Sequence, residues 1–262
     1  MKSLWFKKEM LPKFIFIVLL VLLWELTAWS GIFDQALFPP FSKVFKEFAK
    51  GVISGVLVVK TVYSLLLILK GLVLSLIIAL LIAFFALSSR WVEDIADALN
   101  SIFHPLPGIA LLPVAILWFG IGETSILVIV IHSVLWPMLV NIKTGFKSVP
   151  SVYIELGQTF GLKGIKFLWE IILPASLPYF LSGLKIGWAR AWRAVIAAEM
   201  VFGAASGTAG GLGWHIYMTR YYFDMAATFA ALLAIVMVGI IVEVFVFNVV
   251  ERLTVRKWGM SI

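Results

Sequence analysis

Apolar positions along the chain fall into six long runs, near Phe14–Trp29, Ser64–Leu87, Phe103–Phe119, Ser125–Val140, Leu177–Val201 and Ala226–Val250. A helix needs about 20 consecutive apolar residues to cross the hydrocarbon of a bilayer. The runs therefore predict an all-α polytopic membrane protein of six transmembrane helices. The third and fourth runs are short, and Pro105, Pro107 and Pro113 interrupt the third. A helix broken there would expose backbone carbonyls, either to line a path or to serve packing. The expected organisation is a single transmembrane domain over residues 1–262. It has a first span at 14–29, an outer amphipathic segment at 39–60 and a five-span core at 61–250.

Three connections break the apolar pattern in different ways. In "FPPFSKVFKEFAKGV", Phe41, Val44, Phe45 and Phe48 repeat at helical spacing, with Lys43, Lys46, Glu47 and Lys50 on the other face. That is the pattern of a helix lying on the membrane surface, either as a connector or as a docking element. The connection "GAASGTAGGLGWHIY" is rich in glycine and reads as mobile. The longest connection, from Asn141 to Ser176, contains "ELGQTFGLKGIKFLWEIILP". It predicts a short helix from Pro150-Ser151 through Glu155 and a break at Gly161–Gly164. A second helix from Ile165 to Leu173 is then stopped by Pro174. In that second helix Ile165, Leu168 and Ile172 share a face, and Lys166 pairs with Glu170 at i, i+4. Two hinged helices of this kind make a protruding knob, and the whole loop is taken as 149–174.

Composition agrees: 62% of residues are apolar, 13% are charged and the mean hydropathy is +1.06. Soluble domains carry about 25% charged residues. The net charge of +7 fits basic inner loops better than nucleic-acid binding. With both termini cytoplasmic, the inner connections hold 13 of the Lys and Arg residues, against Lys43, Lys46, Lys50, Lys60 and Arg220 outside. That asymmetry sets the expected orientation and puts the knob on the cytoplasmic side. The opening "MKSLWFKKEMLPKF" precedes an apolar run longer than a signal-peptide core, so it reads as an uncleaved first span. There is no cysteine, hence no disulfide or thiolate metal site. No G-x4-G-K-[ST] phosphate cradle occurs, so an ATP-driven process would need its ATPase on another polypeptide.

Ionisable groups inside spans are costly and are functional hypotheses by default. Lys70 and Glu25 lie near span ends and are expected to snorkel to the surface; Glu243 reads as structural. Span five differs: Arg190 and Arg193 stand three residues apart near its middle, with Glu199 toward the outer end. Two readings stay open: a packing network, or a cationic stretch of a path that attracts a small anion. His104, His132 and Trp192 complete the path candidates. No second His or carboxylate stands at ligand spacing to the histidines, so no metal site and no catalytic residue is assigned. The 11 Trp and 21 Phe read as interface belts and packing.

Glu155, Gly161, Ile171, Leu173 and Pro174 are spaced as in the E-A-A-x3-G-x9-I-x-L-P motif. On these residues the chain resembles the permeases of binding-protein-dependent ABC importers, of type I (MetI-like) fold. Leu156 and Gly157 replace the two alanines of the motif. "HPLPGIALLPVAILWFGIGETS", "GLKIGWARAWRAVIAAEMVFGA", "GGLGWHIY" and "VERLTVRKWGM" are similar to the nitrate/sulfonate/taurine branch. The resemblance implies a loop that couples to an ATPase subunit through Glu155, Leu156, Gly157, Gly161, Leu162, Lys163, Ile171, Leu173 and Pro174. It implies two ATPase subunits, a second permease copy and a periplasmic or lipid-anchored substrate-binding protein, in a bacterial cytoplasmic (inner) membrane. No cofactor is expected on this chain; ATP and Mg would be bound by the partner ATPase. The function implied is uptake of a small solute, an anion of the nitrate/sulfonate/taurine class, with no enzymatic activity on the chain itself. The alternatives are an ion-gradient-driven secondary transporter or channel, and an ABC permease for an aromatic acid or thiamine precursor.

Overall fold

A chain this apolar must satisfy its backbone N–H and C=O groups within each segment, and helices do so without leaving an edge. The computed structural model describes residues 2–202 and 210–255, with side chains from Leu11 onward apart from Phe202, and the regular elements among them are helical. In chain order these are α1 (Lys2–Trp29), α2 (Phe41–Ile53), α3 (Val56–Ser88), α4 (Arg90–Phe103), a 3-10 turn (Gly108–Leu111) and α5 (Leu112–Phe119). There follow α6 (Glu123–Lys147), α7 (Ser151–Thr159), α8 (Gly164–Ala175), α9 (Leu177–Phe202), α10 (Leu212–Tyr221) and α11 (Met225–Leu253). A turn of π-helix interrupts α8 at Leu168–Ile172 and α11 at Val242–Phe247.

Among the described residues, four helices are long and apolar enough to cross a membrane: Leu11–Trp29 of α1, α3, α6 and α11. Two bent pairs bring the number to six if each is one span: Arg90–Phe103 with Gly108–Phe119 at 87°, and Gly164–Ala175 with Leu177–Val201 at 75°. The expected third span, Phe103–Phe119, is therefore not a helix. It straddles a sharp corner, because Pro105 and Pro107 lack the N–H that would continue the ladder of α4. The second span is longer than predicted, since α3 begins at Val56 and runs for 33 residues. The fourth likewise extends from Glu123 to Lys147.

α6 is the central helix, packed against α9 on one side and α3 on the other. Ile129, Val130, Val134, Met138 and Leu139 form its buried stripe, against Leu67 and Ile68 of α3 and Ala191, Val195 and Ala198 of α9. Hydrocarbon gives no hydrophobic drive between helices, so close approach through small residues carries the packing. Gly71 is one such place: a Cβ there would lie 2.3 Å from Val130 Cγ1.

Ionisable residues near the membrane boundaries pair rather than stand alone. Lys70 bonds Glu123 at the start of α6 instead of merely snorkelling. Lys143 reaches Asp97 at 2.5 Å and Glu93 at 3.8 Å, and Lys147 also bonds Glu93, tying α4 to α6. Lys185 of α9 lies 3.0 Å from Glu251 and 3.9 Å from Glu243, which gives Glu243 the structural role expected of it. Arg256 and the rest of the C-terminal motif lie outside the described residues. Glu25, also expected to snorkel, accepts from the N–H and the hydroxyl of Ser42 at 3.0 and 2.7 Å, joining α1 to the start of α2.

Of the segment expected at 39–60, Phe41–Ile53 form a helix, α2, while residues 56–60 already belong to α3. Val44 of α2 is buried, the rings of Phe41, Phe45 and Phe48 stack in series, and the helix packs on α11.

Candidate functional site: a cationic cavity and a paired-helix knob

The corner between α4 and α5 lies against α6 and α9, and the space between them is a cavity of about 540 Å³. Its lining combines His104, Pro105, Pro107 and Gly108 of the corner with His132 and Ser133 of α6 and Arg190 and Arg193 of α9. Four of the six predicted path residues thus come from three separate stretches of chain to one place. Gly108 makes the approach possible: a Cβ there would fall 2.0 Å from Ser133 Oγ and 3.1 Å from the Ile129 carbonyl. Sequence reasoning had flagged the prolines but not Gly108 or Ser133; the Pro-x-Pro-Gly run was the available signal.

Arg190 Nη2 lies 3.2 Å from His104 Nε2. A guanidinium never accepts, so Nε2 accepts and the His104 proton resides on Nδ1. Arg193 is the more exposed arginine, and its Nε–H donates to the Ala189 carbonyl at 3.0 Å. No carboxylate is among the described residues of the lining, so none of these offsets the positive charge at close range. A low-dielectric wall around such charge concentrates anions. Behind the cavity, Phe103 stacks on Trp136 at 5.4 Å, and His132 sits edge-on to both rings. Among the described residues, the buried side-chain polar atoms without a partner cluster here: Asn100 Oδ1, both His132 ring nitrogens and Trp136 Nε1.

The other two path candidates lie elsewhere. Trp192 is buried and stacked on Trp188 at 5.7 Å, away from the cavity. Glu199 is 2% exposed. Its two oxygens each lie 2.8 Å from Ser64 Oγ, and Oε2 accepts from the Gly213 N–H at 2.9 Å. The Leu212 N–H donates to Ser64 Oγ at 3.0 Å, which closes a buried cluster of α3, α9 and the first turn of α10. Residues 212–217 of the glycine-rich connection, expected to be mobile, are therefore anchored in α10; residues 203–209 lie outside the described residues.

The knob forms, with its boundaries shifted. α7 continues past Glu155 to Thr159 and ends in a Schellman cap. The Leu162 N–H reaches the Gly157 carbonyl and the Gly161 N–H the Gln158 carbonyl, both at 2.9 Å. Gly161 takes φ +69°, a left-handed conformation that favours glycine at this position. α8 starts at Gly164 and includes Pro174, so the chain turns at Ser176 rather than stopping at the proline. Lys166 and Glu170 lie 3.9 Å apart, as spaced for i, i+4. The expected apolar face of Ile165, Leu168 and Ile172 does not form as one. Ile172 is buried, Leu168 half-buried and Ile165 65% exposed, because the π turn inserts a residue and rotates the face.

Gly157 explains how the two helices close on each other: its Cβ would meet Phe167 Cε2 at 2.7 Å and Ile171 Cγ1 at 3.0 Å. The preceding Leu156 points outward. With Val152, Tyr153, Phe160, Ile165 and Trp169 it makes the knob an exposed apolar surface beside the exposed Glu155, Gly161 and Lys163.

Residues 71–255 match the family described as binding-protein-dependent transport system inner membrane component. The chain belongs to this family. The permease is 30% identical over 240 residues to a putative ABC transporter permease of Methanocaldococcus jannaschii, covering 90% of this chain and 88% of that one. It is 31% identical over 166 residues to the taurine transport system permease of Escherichia coli, covering 63% of this chain and 58% of its relative, less than two thirds. Its fold is similar to a chain of the MetNI methionine ABC transporter in inward-facing conformations, with a TM-score of 0.59 at 18% identity over 76% of this chain and 96% of that one.

Proposed function

We propose that the permease carries a small anion, of the organosulfonate or nitrate-like class, through the cavity of Arg190 and Arg193, driven by ATPase subunits that dock on the knob. The observation that carries the reading is two guanidiniums on one face of α9 lining a cavity with no carboxylate among the described residues of its wall. The taurine permease relative supports a sulfonate-like anion. Bidentate guanidinium pairing suits the planar or tetrahedral oxygens of such solutes. His104 positions Arg190, and the outward apolar residues of α7 and α8 supply a docking surface next to Glu155.

In this reading the permease works as a pair with two ATPase subunits, which bind ATP and Mg, and takes solute from a binding protein in a bacterial cytoplasmic membrane. A secondary transporter would need carboxylates open to the path; Glu199 is instead buried against Ser64 and Gly213, which favours the ATP-driven reading.

Two measurements test it. Co-purification of the full-length chain with an ATPase in mild detergent is the expected result, whereas solute uptake by the chain alone, without nucleotide, would overturn it. Arg190→Ala and Arg193→Ala should each lower uptake by about 10- to 10²-fold, the loss of one charge-assisted contact worth about 1.5–3 kcal/mol. Membrane level and ATPase co-purification should stay unchanged. If both variants fail to assemble instead, the arginines are packing residues.

A further inference from the structure

α2, α3, α10 and α11 meet around two adjoining cavities that share Leu57. One, of about 160 Å³, is polar at its rim: Glu47, Lys50 and Ser54 on the α2 side, His215 of α10 opposite, Ala227 and Ala230 of α11 below. The other, of about 220 Å³, is lined by Phe48 and Val52 of α2, Val58 and Val62 of α3, and α11 from Ala234 to Ile241, with Thr61 the one polar residue among the described lining.

Both α3 and α11 begin at the polar cavity, at Val56 and Met225. The apolar trough follows α11 from Ala234 to Ile241, about 10 Å further along the helix at 1.5 Å per residue. A polar mouth at the ends of two spans, opening into a hydrocarbon-lined trough, has the shape of a headgroup above an acyl chain. Leu57 forms the waist, held there because Gly51 has no side chain: a Cβ would lie 2.7 Å from Leu57 Cδ1.

The mouth has the charge for an anionic head. Lys50 pairs with Glu47 at 3.2 Å but is 73% exposed, and exposed pairs are worth about 0–1 kcal/mol. A phosphate therefore competes readily for Lys50. Lys43 and Lys46 stand exposed on the same helix. Burial, and then the Lys60 ammonium, push the His215 pKa below its ordinary value, while Asp224 opposes them; the ring is neutral at neutral pH, with one N–H to donate.

We propose that these joined cavities bind one anionic phospholipid, its phosphate at Lys50 and His215 and one acyl chain in the trough along Val58, Val62 and Met237. The lipid clips the surface helix α2 onto α3 and α11.

The test uses full-length permease, delipidated in mild detergent, with phosphatidylglycerol and phosphatidylcholine of identical chains, read by native mass spectrometry. The expected result is one phosphatidylglycerol retained per chain, at least about fivefold over phosphatidylcholine, the advantage one lysine gives near an anionic head. Lys50→Glu should abolish the preference, and Val62→Trp should lower retention of both lipids by filling the trough. In the unmodified protein, a diazirine on the acyl chain should crosslink to residues 56–62 and 234–241. Equal retention of the two lipids, a preference that survives Lys50→Glu, or crosslinks elsewhere would overturn the site. Displacement of the lipid by millimolar inorganic phosphate would overturn the lipid as its occupant.

Discussion

Gly157→Leu is expected to abolish ATP-driven uptake while the protein still reaches the membrane at its normal level. The leucine side chain would have to occupy the space of the Phe167 ring and Ile171, which lie 2.7 and 3.0 Å from where its Cβ would sit. Overpacking a tight contact costs about 1–3 kcal/mol. The two knob helices have little other packing with which to absorb it, since much of their surface faces outward. They would splay, and the outward apolar surface of Leu156, Phe160 and Trp169, the docking site proposed above, would lose its shape. Co-purification of the ATPase should fall by at least about tenfold, the equivalent of 1.4 kcal/mol. Gly157→Ala should be far less disruptive, because a single methyl has only to displace the ring edge of Phe167, the far end of a movable side chain. Leu156→Ala separates the two faces of α7: it leaves the pairing of the helices intact and weakens only what docks from outside. If Gly157→Leu couples normally, the knob is not held by this contact.

Glu199→Ala is expected to release α10 from the helix bundle. The substitution leaves the Ser64 hydroxyl and the Gly213 N–H buried without this acceptor, and each buried donor left unsatisfied costs about 1–3 kcal/mol. Hydrogen exchange at the amides of Leu212 and Gly213, which bond Ser64 and Glu199, should accelerate by about 10²–10³-fold, read by mass spectrometry on the 210–221 peptide. Glu199→Gln keeps one amide oxygen at the position of Oε2, which can accept from both the Gly213 N–H and the Ser64 hydroxyl, and should accelerate exchange far less. Gly211→Leu should mimic the alanine variant by a different route. A Cβ at 211 would lie 2.0 Å from Glu199 Oε1 and 2.3 Å from Ser64 Oγ, so the first turn of α10 could not seat. Exchange unchanged in both variants would mean that α10 is held by its apolar contacts, Leu212 and Ile216, alone.

Glu199 also shows what a linear reading misses. From the sequence it was a charge in a span, grouped with the arginines on the same helix. Its partners are Ser64, 135 residues away, and a backbone N–H in a glycine-rich stretch that had looked mobile. Backbone donors carry no sequence signature, and the clearance that admits them is visible only once three helices are placed together. The same holds for Gly157. The motif asked for a small residue at positions 156 and 157 alike, whereas only the second faces Phe167 and Ile171. The departure at Leu156 falls on the outward face and costs the fold nothing.

The sequence by itself determined the class, the number of apolar runs, the amphipathic helix after the first run, the hinged loop and the family, because hydrophobic length, helical periodicity and glycine spacing are local properties of the chain. It also singled out Arg190, Arg193, His104 and His132. Only the tertiary structure decided that these four share one cavity while Trp192 and Glu199 do not. That cavity exists because Pro105 and Pro107 end α4 and Gly108 lets the corner touch α6. Which face of a helix meets which neighbour depends on packing between segments far apart in the chain, and no single run of residues encodes it.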